Sequence, residues 1–133
     1  EVKPHQIFVA GDLADPHGTH KVCLDAALSA IHELIDEDWM DDCRVWMYRG
    51  AWAEWEIDHI EMAVPISPEE LRRKRNSILK HQSQMESAPF MGNDERLFWQ
   101  RAEDRNQASA KLYSDLGLAS YEAIEAFVEY KKV

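Results

Sequence analysis

The chain has 133 residues, 45% hydrophobic and 10% aromatic, and a net charge of −10 from 25 acidic and 15 basic residues. That length and composition exclude a disordered chain and allow one domain with a real core. No apolar run approaches the ~20 residues of a membrane span, and the acid excess repels phosphate backbones, so neither membrane nor nucleic acid is an expected partner.

The sequence opens Glu1-Val2-Lys3-Pro4-His5. It lacks the cationic start and apolar core of a secretory signal and reads as mid-chain. Residues 5–10 are expected to form a buried strand, because Ile7, Phe8 and Val9 are consecutive. Gly11 to Pro16 is loop chemistry. Thr19 or His17 can cap a helix running to about residue 38. Its apolar positions Val22, Cys23, Ala26, Ala27, Ala30, Ile31, Leu34 and Ile35 recur at three and four residues and form one stripe. Glu33, Asp36, Glu37 and Asp38 would then crowd the helix C-terminus, where the dipole disfavours acids; only solvent exposure accounts for them. Cys23 and Cys43 have no CxxC spacing and sit in apolar contexts. They read as buried free thiols of a reducing, cytoplasmic compartment, with a disulfide as the alternative.

Residues 43–49 read as a second strand. Strand, helix, strand is the pattern of a right-handed crossover in a parallel sheet. Residues 50–58 form a loop carrying Trp52 and Trp55, either folded over the sheet edge or serving as a lid or subunit contact. A third strand is expected over 60–66. Ser67, Pro68 and Glu70 supply an N-cap, an N1 proline and a capping box for a helix continuing to about 84. Arg72, Arg73, Lys74 and Arg75 on its first turns are either a solvated face or an anion site. After a loop over 87–93, Asp94 can cap a long helix ending at Leu116, with Gly117 as its C′ residue. Residues 101–107 are very polar, so their charges are expected to pair with one another or within a larger molecule. Residues 121–130 are helical or partly extended. No repeat or linker divides the chain, so residues 1–133 read as a single α/β domain.

The chemistry concentrates in Asp15-Pro16-His17-Gly18-Thr19-His20, between the first strand and the first helix. His17 and His20, three apart, project from neighbouring points of a helix start. As neutral imidazoles they can hold Zn²⁺ together, or one can bind while the other moves protons. A catalytic zinc takes about three protein ligands and an open position, so two histidines leave the set incomplete. Asp12 and Asp15 can add oxygens, but both are also ordinary loop and capping residues. The loop after a parallel strand is where α/β sites gather. His5, His32 and His59 read as surface or packing residues. His81, in Lys80-His81-Gln82-Ser83-Gln84, lines a cleft or closes a helix. No Ser-His-Asp arrangement can be argued, and neither GxGxxG nor GxxxxGK[ST] is present.

Residues 7–9 running into His17-Gly18-Thr19-His20 resemble the HxxH motif of the PIG-L/LmbE-like zinc deacetylases. Residues 80–84 resemble that family's later H-x-S-Q segment. Gly117 to Phe127 resembles its terminal G…Y-A-E-A-F segment, with one residue inserted. Residues 42–52 (DCRVWMYRGAW), 62–65 (MAVP) and 98–106 (FWQRAEDRN) are similar to the C-terminal part of long two-domain proteins of glucosamine-6-phosphate deaminase type. In those, a sugar-phosphate isomerase-type domain precedes a PIG-L-like domain.

The resemblance implies a Rossmann-like, three-layer α/β domain, here only its C-terminal portion, with a few-stranded, mostly parallel sheet and flanking helices. It implies a hydrolase with one zinc that cleaves the N-acetyl amide of a glucosamine-type sugar, an amino-sugar substrate. His20 matches the family's metal-ligand histidine, and His17 the histidine that stabilises the oxyanion. The family's first motif, A-H-P-D-D-E, supplies two further ligands and the general base, and nothing in these residues matches it. The chain alone is therefore expected to be inactive and to hold zinc weakly or not at all. Its partner would be the missing N-terminal part of the same protein, and an uncovered sheet edge would favour homo-oligomers. The rival reading is a non-catalytic module that assembles or regulates an attached deaminase domain, with His17 to His20 kept for packing.

Overall fold

The computed structural model describes residues 2–11, 18–85 and 95–132. Four strands, β1 (Gln6–Ala10), β2 (Arg44–Tyr48), β3 (Met62–Ile66) and β4 (Ala123–Glu129), accompany four helices, α1 (Thr19–Glu33), α2 (Pro68–Leu79), α3 (Gln82–Met85) and α4 (Phe98–Asp115). The strands hydrogen-bond in the order β1-β2-β4-β3. β1 and β2 are parallel, as expected for strands joined through a helix, but β4 runs antiparallel to β2. The sheet is therefore mixed rather than mostly parallel, because the C-terminal segment fills the second edge of β2 in the opposite direction.

The chain divides into two compact units, one of Glu1–Arg49, Trp55–Met62 and Phe127–Val133, the other of Gly50–Glu54 and Ala63–Ala126. The first unit is built on the β1–α1–β2 crossover. Its core is Ile31, Met40, Cys43 and Val45, with Ile7, Val9, Leu28, Trp39 and Tyr130 packed around it. The register runs from Gln6 opposite Arg44 to Ala10 opposite Tyr48. α1 ends at Glu33, earlier than the apolar pattern suggested. The Leu34 N–H donates to both Ala30 O and Ile31 O at 3.2 Å, and a 3₁₀ turn at Asp38–Met40 follows. Asp36, Glu37 and Asp38 thus lie beyond the helix, and Asp38 opens the 3₁₀ turn, where an acid is favourable. The Lys132 ammonium donates to Met40 O and, at 2.6 Å, to Cys43 O, which ties the last residues to this turn. Of the two cysteines, Cys43 is buried as expected, but Cys23 is exposed. α1 packs through Ala27, Leu28 and Ile31, which turns Cys23 to solvent.

In the second unit, α2 begins as its sequence dictates. Ser67 Oγ accepts from the Glu70 N–H at 3.2 Å, and Glu70 Oε2 accepts from the Ser67 N–H at 2.8 Å. The Ser67 N–H and the Ser67 hydroxyl both donate to Glu70 Oε2 at 2.8 Å and hold the Glu70 carboxyl below the usual carboxylate range. Ser67→Ala removes one half of the box and is expected to cost about 1 kcal/mol in urea unfolding. α2 stops at Leu79 rather than near residue 84, with Lys80 as C-cap and His81 before the short α3. α4 begins at Phe98. The expected cap, Asp94, lies outside the described residues, and Gln100 Oε1 instead accepts from the Leu97 N–H at 2.8 Å. Its C-terminus is a Schellman motif: Gly117 has φ +84°, its N–H donates to Ser114 O, and the Leu118 N–H donates to Tyr113 O. Residues 123–129, left open between helix and strand, are β4.

Candidate functional site

The strand-to-helix junction is set by two glycines. Gly11 is buried, and its N–H donates to Tyr48 O at 2.9 Å. A Cβ at Gly11 would meet Met47 Cβ at 2.4 Å, so only glycine lets the chain leave the sheet here. Gly18, at φ +72°, is the N-cap of α1, and the Val22 N–H donates to its carbonyl at 2.9 Å. Thr19 is therefore the first helical residue and not the cap. His17, Asp12 and Asp15 lie outside the described residues. His20 stands exposed in the first turn of α1, downstream of the C-terminal end of β1.

No three His, Cys, Asp or Glu side chains gather to hold a metal among the described residues. One imidazole does not fit a zinc site, so a zinc here needs donors from positions outside those residues. The other histidines take ordinary roles. His32 Nε2 lies 3.2 Å from the Tyr130 hydroxyl, with the rings edge to face. His59 sits in a turn, its N–H donating to Glu56 O. His81 follows α2 as an exposed helix-end residue, its N–H donating to Ile78 O at 3.0 Å.

The second unit holds a set of side chains that sequence reasoning did not assemble. On α4, Arg105 donates from Nη1 to Glu54 Oε2 at 3.0 Å and from Nη2 to Glu125 Oε1 at 2.5 Å. Lys74 of α2 donates to Glu125 Oε2 at 2.6 Å and to Asn106 Oδ1 at 2.7 Å. Asn106 Nδ2 donates to Ile124 O at 2.8 Å, and the Ser109 hydroxyl to Glu54 Oε2 at 2.7 Å. Burial pushes the Glu125 carboxyl up, but the Arg105 and Lys74 charges and their hydrogen bonds overrule it and hold the group below the usual range. Two cations and two carboxylates pair with one another, which suits a rigid support rather than a ligand site, although Arg105 Nε is buried without a hydrogen-bond partner among the described residues.

The basic run on α2 is likewise engaged. Arg73 pairs with Glu69 at 2.7 Å. Arg75 grips Glu103 through Nε at 2.8 Å and through Nη2, and lies over the Trp99 ring. Three of the four cations, Arg73, Lys74 and Arg75, therefore have carboxylate partners. The Trp-rich loop packs within the chain as well. Trp52 meets Phe98 edge to face, and the Arg49 guanidinium lies 4.1 Å from the Trp55 ring centre. No helix among the described residues is long and apolar enough to cross a membrane.

The chain is 77% identical over 132 residues to a protein of Bacteroides thetaiotaomicron named glucosamine-6-phosphate deaminase-like. The match takes in 98% of this chain but only 20% of that relative, so the chain spans a fifth of its length. No protein-family model matches the chain. No solved structure matches it either.

Proposed function

We propose that this chain is the C-terminal portion of a PIG-L/LmbE-like deacetylase domain within a longer amino-sugar enzyme. Its junction between β1 and α1 would contribute half of a zinc site there. The observation that carries the reading is the placing of His20. It is an exposed imidazole in the first turn of a helix, at the carboxyl side of a parallel strand, where α/β proteins collect their catalytic groups. The relative's name supports the amino-sugar context, and the fifth of its length that the chain spans supports a part of a longer protein.

In this reading His20 is a ligand position and His17 an oxyanion-binding position, and a zinc bound there supplies a polarised water. The remaining ligands and the base come from the rest of the polypeptide. The substrate class is an N-acetylated glucosamine-type sugar, and the compartment is the cytoplasm.

The test is the zinc content of full-length protein carrying this sequence. About one zinc per chain is expected, with His20→Ala losing most of it and with it hydrolysis of N-acetylglucosamine derivatives. A full-length protein without metal, or a variant that keeps it, overturns the proposal in favour of a module that assembles or regulates its neighbour.

A further inference from the structure

In the first unit, one strand–helix pair carries two apolar features that the described residues leave uncovered. Among the described residues β1 is an edge strand, hydrogen-bonded to β2 alone. The Gly11 N–H and His5 O both face β2. The alternation of a strand then turns the N–H groups of Gln6, Phe8 and Ala10 to the open side. Phe8 meets the Phe127 ring edge-on at 5.5 Å and is still 48% exposed. Consecutive apolar residues such as Ile7, Phe8 and Val9 belong to strands covered on both faces.

The second feature is on α1. The helix packs through Ala27, Leu28 and Ile31, yet Val22, Ala26, Ala30 and Leu34 form another apolar row, recurring every four residues. Val22 is 66% exposed, Leu34 is 41% exposed, and Cys23 lies exposed beside them. A ridge at that spacing packs into the grooves of a neighbouring element. A helix apolar on two sides belongs between two layers.

What covers them is indicated by length: four-fifths of the relative lies beyond the match. We infer that a strand from the remainder of such a longer polypeptide adds to the free edge of β1. An apolar face continuing from that strand covers the ridge of Val22, Ala26, Ala30 and Leu34. Main-chain hydrogen bonds to Gln6, Phe8 and Ala10 give the attachment its strength, and the ridge gives it register. The inference rests on the chain being part of a longer protein and is independent of any zinc.

The experiment uses full-length protein carrying this sequence. Native thiol labelling of Cys23 and amide exchange at Phe8 and Ala10 are each compared with the denatured protein. Both are expected to be slowed by on the order of 100-fold or more, at a level independent of protein concentration. Labelling of Cys23 within a few-fold of the denatured rate overturns the inference. So does protection that fades on dilution, because the occupant is then a second copy. Zinc content does not enter these readouts, so failure here and failure of the deacetylase reading are separable.

Discussion

Arg105→Ala is expected to cost about 3–5 kcal/mol of unfolding free energy, the range for removing one partner of a buried ion pair. The Arg105 side chain is only 6% exposed and bridges Glu54 and Glu125 with separate nitrogens. Its loss leaves two sheltered carboxylates that share no guanidinium. Arg105→Lys retains the charge but not the fork, and should recover only part of the loss. The pH dependence follows from Glu125. Its folded-state pKa lies below the ordinary value, so the stability it contributes is complete above the ordinary carboxylate range and is lost as the pH falls through the folded value. In Arg105→Ala that depression shrinks, so the share of stability that acid removes through Glu125 should shrink with it. Urea unfolding followed over a pH series measures both effects. A loss under about 1 kcal/mol at neutral pH would show that the network is incidental to stability.

Met40→Ala is the second large effect, expected at about 2–5 kcal/mol. Met40 is 1% exposed, at the centre of the cluster with Ile31, Cys43 and Val45. Truncation leaves a cavity against Cys43, so the Cys43 thiol should also react faster with a thiol reagent under native conditions. Urea unfolding reads the first effect and labelling kinetics the second. An unchanged midpoint would mean that the turn at Asp38–Met40 collapses onto the space.

What could be read from the sequence divides along physical lines. The capping box at Ser67 and the closing Gly117 were legible because caps are local chemistry. The start of α1 was legible to within one residue, but its cap was not, since Gly18 fills that position through backbone conformation alone. The early stop of α1 was hidden because Leu34 and Ile35 continue the apolar period past the last helical turn. The antiparallel entry of β4 could not be read, since periodicity says nothing about which strand an element joins. Histidine spacing pointed to the junction, and the structure places His20 there in the open. The Arg105 network was invisible because its partners come from distant parts of the chain. The one local signal was Glu125, an acid inside the apolar run Ala123-Ile124-Glu125-Ala126-Phe127-Val128, where a charge requires a partner.

The place of β4 has a consequence for how the molecule is made. The last of the described strands lies inside the sheet, between β2 and β3. During synthesis, β1 and β2 can pair early around their helix, but β2 and β3 keep open edges until residues 123–129 leave the ribosome. Closing the sheet then requires Trp46 to meet Glu129, 83 residues further along (129 − 46), and contacts of such long range form slowly. Until then the nascent chain offers strand edges to any neighbour. Yield should therefore depend on translation rate and chaperone supply more than on the stability of the finished fold.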